Sequence, residues 1–145
     1  MANKTRLHAN FATGNNIFVD TTNGRVGVGT TVPSTTLQVS GTITCTDINS
    51  TSDIKLKENI HQIKDPLNKV MQINGVGFRW KDTKENSFGV IAQDIEEVLP
   101  ELVKENDHHK SVNYNGLIGV LIEAIKEQQN QIEELKSEII VLKNK

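Results

Sequence analysis

The sequence predicts an α+β protein in three parts: a β-rich first third, a small mixed middle and one long C-terminal helix. Three observations carry this. Residues 1–51 are rich in Thr, Asn, Gly and Val and poor in Lys and Glu. Across residues 52–115, strand-like and helix-like runs alternate between short breaks. From residue 116 to 145 the apolar residues fall on an unbroken heptad spacing.

In the first part, Asn23-Gly24 lies between Ile17-Phe18-Val19 and Val26-Gly27-Val28, a short hairpin signal. Leu37, Val39 and Ile43 alternate with polar residues, with Ser40-Gly41 as a turn between them. Strands this short bury little within one chain, so the pattern predicts intertwined β-structure shared between chains. The glycines of Val26-Gly27-Val28-Gly29 suit tight turns or close backbone approach. They do not make a nucleotide loop, because no amphipathic helix and no Gly-Lys-Ser/Thr ending follows.

In the second part, Asp65-Pro66 predicts a helix start, with Asp as N-cap and Pro at the first helical position. Leu67, Val70 and Met71 supply its apolar face, and Asn74-Gly75 ends it. Val76, Phe78 and Trp80 alternate with Gly77, Arg79 and Lys81 as a strand. Asp82 to Asn86 is a polar turn, and Phe88 to Ala92 is the hairpin partner. Gln93 to Leu99 suits a short helix closed by Pro100, and Glu105 to Lys110 a charged loop. His108-His109 falls in that loop, but adjacent imidazoles point apart and no third ligand is near in sequence. The pair reads as solvated, with no metal.

In the third part, Ile118, Leu121, Ile125, Gln128, Ile132, Leu135, Ile139 and Leu142 are spaced 3-4-3-4-3-4-3. That is a coiled-coil seam, whereas an ordinary amphipathic helix drifts off this period. The helix would be about 45 Å long, too long to lie wholly on so small a domain. Ile122 and Ala124 widen the apolar face at its start, which predicts that the first turns also pack on the globular part. Glu138 and Lys143 occupy g and following e positions and can pair between helices. Ile at a with Leu at d is the pattern of two-stranded coils. Gln128 in the seam costs stability and fixes register, and a ring of side-chain amides can satisfy itself around a three-fold axis.

Composition narrows the function. The chain has 145 residues, 36% hydrophobic and only 4% aromatic, thin for a self-sufficient monomeric core. A formal charge of −2 with no basic stripe excludes a general nucleic-acid binder. No apolar run reaches the roughly 18 residues of a membrane span, and no signal peptide is visible, so a soluble chain made inside a cell is expected. Cys45 stands alone, which excludes an intrachain disulfide and a thiolate metal site. It reads as a small buried residue in a strand.

Chemistry is concentrated at Ser52-Asp53-Ile54-Lys55-Leu56-Lys57-Glu58-Asn59-Ile60. A serine hydroxyl becomes a nucleophile when a neighbouring base takes its proton, and a neutral lysine can be that base. Lysine titrates near ~10.4, so burial must depress it first. By itself the pattern is ordinary, since Ser before Asp and a Lys/Glu run is the common form of a helix N-cap. Five helical steps turn about 500°, which leaves the two side chains about 140° apart. In a strand they lie on opposite faces. Ser52 and Lys57 therefore meet only across a bend or between chains.

From Ser52 onward the chain resembles the C-terminal intramolecular chaperone family, the S74 peptidase domain that ends phage tail spikes, tail fibres and endosialidases. Domains of this family also occur in membrane-bound transcription factors. The residues that carry the resemblance are Ser52-Asp53-x-Lys55-Leu56-Lys57-x-Asn59-Ile60 and Gly77-Phe78-x-Trp80-Lys81. They continue with Gly89-Val90-Ile91-Ala92-Gln93-Asp94-Ile95, Leu99-Pro100-Glu101-Leu102-Val103 and Val112-x-Tyr114. Two positions depart from the pattern: Lys55 stands where arginine is expected, and Asp94 where glutamate is commoner. Residues 26–43 in turn look like segments of phage fibre shafts.

The resemblance implies three regions: a fibre or spike end (1–51), a self-cleaving chaperone domain (52–115) and a trimerisation helix (116–145). It implies Ser52 as nucleophile, Lys57 as general base and cleavage between Thr51 and Ser52, with no cofactor. Asn59 and Gln93 match polar positions of the family and are candidates for site support or for purely structural roles. It favours a parallel homotrimer over a dimer, whose partners are its own copies and an upstream fibre or spike. Synthesis in a host cytoplasm, release of the chaperone and residence of the upstream part in a virion follow. Two rivals remain open: a non-catalytic fibre tip or adhesin in which Ser52 is only a cap, and a release module of a membrane-tethered transcription factor. Residues 26–43 and the lack of a basic region speak against the second.

Overall fold

The structure is a computed structural model that describes residues 16–105 and 109–144. It is α+β, with three small sheets and a long C-terminal helix. The described residues fall into two compact units, one ending at Lys57 and the other beginning at Glu58.

The first unit holds one sheet in the order β1-β2-β3. Strands β1 (Ile17–Asp20) and β2 (Arg25–Val28) form the expected antiparallel hairpin, with Asp20 opposite Arg25. The connection is longer than a two-residue Asn-Gly turn, because the Asp20 carboxylate organises it. Asp20 accepts the backbone N–H groups of Thr22 and Asn23 at 3.0 Å each and the Asn23 amide at 2.7 Å. These hydrogen bonds, that of the Asn23 side chain foremost, hold the Asp20 carboxyl below its usual range. Strand β3 (Leu37–Val39) pairs parallel to β2, with Val26 opposite Leu37 and Val28 opposite Val39. Glycine is required in β2: a Cβ on Gly27 would stand 2.2 Å from the Thr30 carbonyl oxygen.

The alternation does not continue beyond β3. Ile43 and Cys45 lie in an irregular, exposed segment, so the expectation of a buried strand cysteine is corrected. Residues 41–57 form no ladder and bury no side chain. The unit's large apolar groups stay open to solvent, among them Phe18, Leu37, Ile48, Ile54 and Leu56.

The second unit is a small α+β body. Helix α1 (Pro66–Gln72) has Pro in its first turn, as expected. Asp65 does not cap it: its backbone is left-handed (φ 49°, ψ 48°) and its side chain makes no cap hydrogen bond. The proline ring bars the preceding residue from the right-handed helical region, and Asp tolerates the left-handed one. Pro66 is buried and Val70 packs on the core, whereas Met71 is 76% exposed and not part of the apolar face.

Strands β4 (Val76–Arg79) and β5 (Asn86–Gly89) pair antiparallel around the polar turn. Helix α2 (Ala92–Val98) and a 3-10 turn (Pro100–Leu102) follow. Strands β6 (Val103–Glu105) and β7 (Lys110–Val112) then pair antiparallel on either side of the expected charged loop, of which residues 106–108 lie outside the described residues. Lys110 bonds the Glu96 carboxylate of α2, which raises its affinity for its proton against a smaller cost of desolvation. His109 is exposed, and His108 lies outside the described residues.

Helix α3 (Tyr114–Lys143) runs 30 residues, with the Asn113 side chain accepting the Gly116 N–H at its start. Its inner face carries Leu117, Val120 and Ala124. Val120 is buried with Ile95 and Leu99, and Ile63, Val70 and Leu102 pack around that cluster. Polar contacts strengthen the α1–α3 side. Glu123 accepts from Gln62 at 3.3 Å and pairs with Lys126 at 2.6 Å, and both contacts lower its affinity for a proton. Ala124 thus belongs to the inner face, as expected. Ile122 does not: it is 49% exposed and stands beside the heptad seam.

Candidate functional site

The Ser52–Lys57 pair is built by a single tight turn. Ser52 precedes Asp53, whose backbone is extended (φ −63°, ψ 136°). The chain then makes a 3-10 turn over Ile54–Leu56 and leaves it extended at Lys57 (φ −126°, ψ 145°). Three hydrogen bonds define the turn. The Asp53 carboxylate accepts the Lys55 N–H at 2.9 Å, the Asp53 carbonyl accepts from Leu56 at 3.1 Å, and the Ile54 carbonyl accepts from Lys57 at 3.1 Å. Reversal of the chain carries the Lys57 side chain back over the turn. Its Nζ donates to Ser52 Oγ at 2.6 Å.

This contact lies within one chain and across a bend. The serine is therefore not a cap in the structure; the cap is Asp53. At this separation the ammonium donates to the hydroxyl oxygen, and a deprotonated amine would accept the hydroxyl proton over the same distance. Both residues and all their neighbours from 41 to 62 are exposed. Within one chain the pair has a base's geometry without a base's dry surroundings.

The other predicted residues fall in the second unit. Asn59 adopts a left-handed backbone (φ 52°), and its carbonyl lies 2.8 Å from His61 Nδ1. Gln93 is exposed on α2. A cavity of about 630 Å³ in this unit, floored by Leu99, Leu102 and Val120, includes none of the predicted site residues. Among the described residues no group of His, Cys, Asp or Glu is placed to hold a metal ion, and no helix is long and apolar enough to cross a membrane.

The seam residues stand on the outer side of α3. Ile118, Leu121, Ile125, Ile132, Leu135, Ile139 and Leu142 are each 39–66% exposed, and Gln128 is exposed among them. Tyr114, one heptad before Leu121 and 55% exposed, extends this stripe by one place that the sequence reading missed. Its hydroxyl lies over Gly89 of β5, 3.0 Å from where a Cβ would stand. Two aromatic groups are also open at the β4–β5 hairpin. Trp80, 57% exposed, meets the half-buried Phe78 edge to face at 5.1 Å, and Phe88 is 89% exposed across Gly77.

Residues 52–104 match the family model described as the chaperone of endosialidase, and this segment is a domain of that family. The chain is also similar to tail-fibre proteins. It is 37% identical over 116 residues to the long tail fiber protein Gp37 of Salmonella phage S16, covering 72% of this chain and 16% of that protein. It is 33% identical over 99 residues to the Gp37 proteins of Enterobacteria phages K3 and T2, covering 61% of this chain and 8% and 7% of theirs. The chain thus spans a small part of the length of these relatives.

Proposed function

We propose that this chain is the assembly module of a phage tail fibre: residues 116–145 join three copies in parallel, and the domain then cuts its own link at Thr51–Ser52. The 2.6 Å contact between Lys57 Nζ and Ser52 Oγ, inside a segment of the chaperone-of-endosialidase family, supports this reading most directly. The homotrimer is supported by the exposed apolar stripe of α3 and by the unburied strands of the first unit, which need partners from other chains. The three regions are then a fibre end (1–51), a self-cleaving chaperone (52–115) and a trimerisation helix (116–145).

In the proposed reaction neutral Lys57 takes the Ser52 hydroxyl proton, and Oγ attacks the carbonyl carbon of Thr51. The Thr51–Ser52 C–N bond breaks as the Ser52 nitrogen gains a proton, which leaves Thr51 on Oγ as an ester. Water then hydrolyses the ester to a Thr51 carboxylate and a free hydroxyl. The lysine must first lose a proton, so a neighbouring copy that covers the turn is part of the site. Assembly of the upstream β-structure is slow because its pairings are non-local. Release after assembly leaves the fibre protected by its unfolding barrier.

Mass spectrometry of freshly purified protein tests the reading. Two products, ending at Thr51 and beginning at Ser52, are expected. An intact chain that is trimeric by sedimentation would instead support a non-catalytic trimerisation module at a fibre tip.

A further inference from the structure

We propose that Asp53 is the positioning residue of the Ser52–Lys57 pair, holding the turn that brings lysine onto serine; this rests on the self-cleavage reading above. The turn has little else to hold it. It is a single 3-10 turn of three residues, too short to sustain itself as a helix. Its own apolar side chains give no anchor, since Ile54 is 70% and Leu56 73% exposed. No ladder pairs its backbone on either side, from residue 41 to 57. Besides the Lys57–Ser52 contact that it makes possible, what remains is the pair of backbone hydrogen bonds and the Asp53 carboxylate on the Lys55 N–H at 2.9 Å.

Geometry makes that one contact consequential. Ser52 and Lys57 lie five residues apart, too far out of phase in a helix and on opposite faces in a strand. Only the turned form places Nζ 2.6 Å from Oγ. When the turn opens, the chain between them is extended and the lysine swings away. The fraction of time spent turned therefore multiplies the cleavage rate. Asp53 touches neither reacting atom in this account; it acts through the backbone of Lys55.

The test compares full-length wild type, Asp53→Ala and Asp53→Asn chains as assembled protein. Asparagine keeps an oxygen that accepts the Lys55 N–H, and alanine does not. In Asp53→Ala the first-order cleavage rate is expected to fall about fivefold, the factor that follows from losing a typical cap. Asp53→Asn should keep most of the rate. The pH midpoint of cleavage should be the same in all three, because the effect is geometric. Equal rates for Asp53→Ala and wild type would overturn the proposal. So would a common loss in both variants with a shifted pH midpoint, which would make Asp53 a charged partner of the lysine.

A second readout does not require cleavage. In a Ser52→Ala background the Lys55 amide proton resonance should move upfield in Asp53→Ala and hold its place in Asp53→Asn. An unmoved resonance in Asp53→Ala removes the cap, whatever the cleavage result. A moved resonance with a wild-type chain that never cleaves leaves the cap standing but removes its role in positioning, together with the self-cleavage reading.

Discussion

Glu127 on α3 accepts a hydrogen bond from the backbone N–H of Leu67 at 3.3 Å, sixty residues earlier in the chain. The start of α1 thus receives from a distant helix the carboxylate that the adjacent Asp65 does not supply. A carboxylate there satisfies one of the open N–H groups of the first turn and faces the positive end of the helix. Replacing Glu127 with Ala should cost about 1 kcal/mol, the usual value of a lost cap. Thermal melting of the otherwise unchanged protein should show a midpoint lower by several degrees. An unchanged midpoint would make the contact incidental.

The seam can be broken directly. Ile125 is 64% exposed and Ile132 39% exposed on the outer side of α3, so Asp at both positions leaves the inner face untouched. In a packed seam each Asp would be a desolvated charge, at several kcal/mol per chain. Sedimentation is expected to show monomers. A double variant that remains trimeric would place assembly elsewhere in the chain.

Cleavage should follow assembly. Ser52 and Lys57 stay in contact range within one chain, but both are exposed. The Ile125→Asp/Ile132→Asp monomer should therefore cleave slower by orders of magnitude, read by denaturing electrophoresis over time. Full-rate cleavage by the monomer would remove the need for a covering copy.

Single substitutions separate nucleophile from base. Ser52→Ala and Lys57→Ala should each leave one full-length band and an intact trimer. Because the pair forms within one chain, mixed trimers of the two variants should also stay uncleaved. Product from the mixture would mean that the working pair forms between chains, contrary to the contact seen here.

Acid should loosen both units. Contacts with Lys126 and Gln62 lower Glu123's affinity for its proton, and those with Asn23 and Thr22 lower that of Asp20. Such groups contribute stability above their unfolded values, roughly 4, and lose it as pH falls through the folded ones. Lys110, raised by Glu96, behaves oppositely and loses its contribution as pH climbs past about 10.4. The melting midpoint should be flat near neutrality and fall at both extremes. Glu123→Gln should flatten the acid limb; an unchanged limb would show that Glu123 adds nothing.

Much of the fold was legible in the sequence because it rests on local signals. The Asn23-Gly24 break, the Pro66 start and the heptad spacing each mark an element within a few residues. What was not legible depended on distant partners. Asp65 read as a cap because the sequence cannot show Glu127 arriving from α3. Cys45 read as buried because short alternation does not reveal where a ladder stops. At the site, the sequence supplied Ser52 and Lys57 and two routes between them, a bend or a second chain, without deciding which. The structure takes the bend, a turn capped by Asp53, whose carboxylate looks in sequence like that of any other acidic residue.

The two sides of α3 also fix something that a free peptide of the same sequence would leave open. Val120 and Ala124 seat the helix against its own domain, so its rotation about its axis is settled within a single chain. The stripe from Tyr114 to Leu142 then faces solvent, and an associating copy would not have to spend entropy finding it. Three such helices meeting would have only their sliding along the axis left to resolve. Gln128, the polar break in that stripe, would be the mark against which they align.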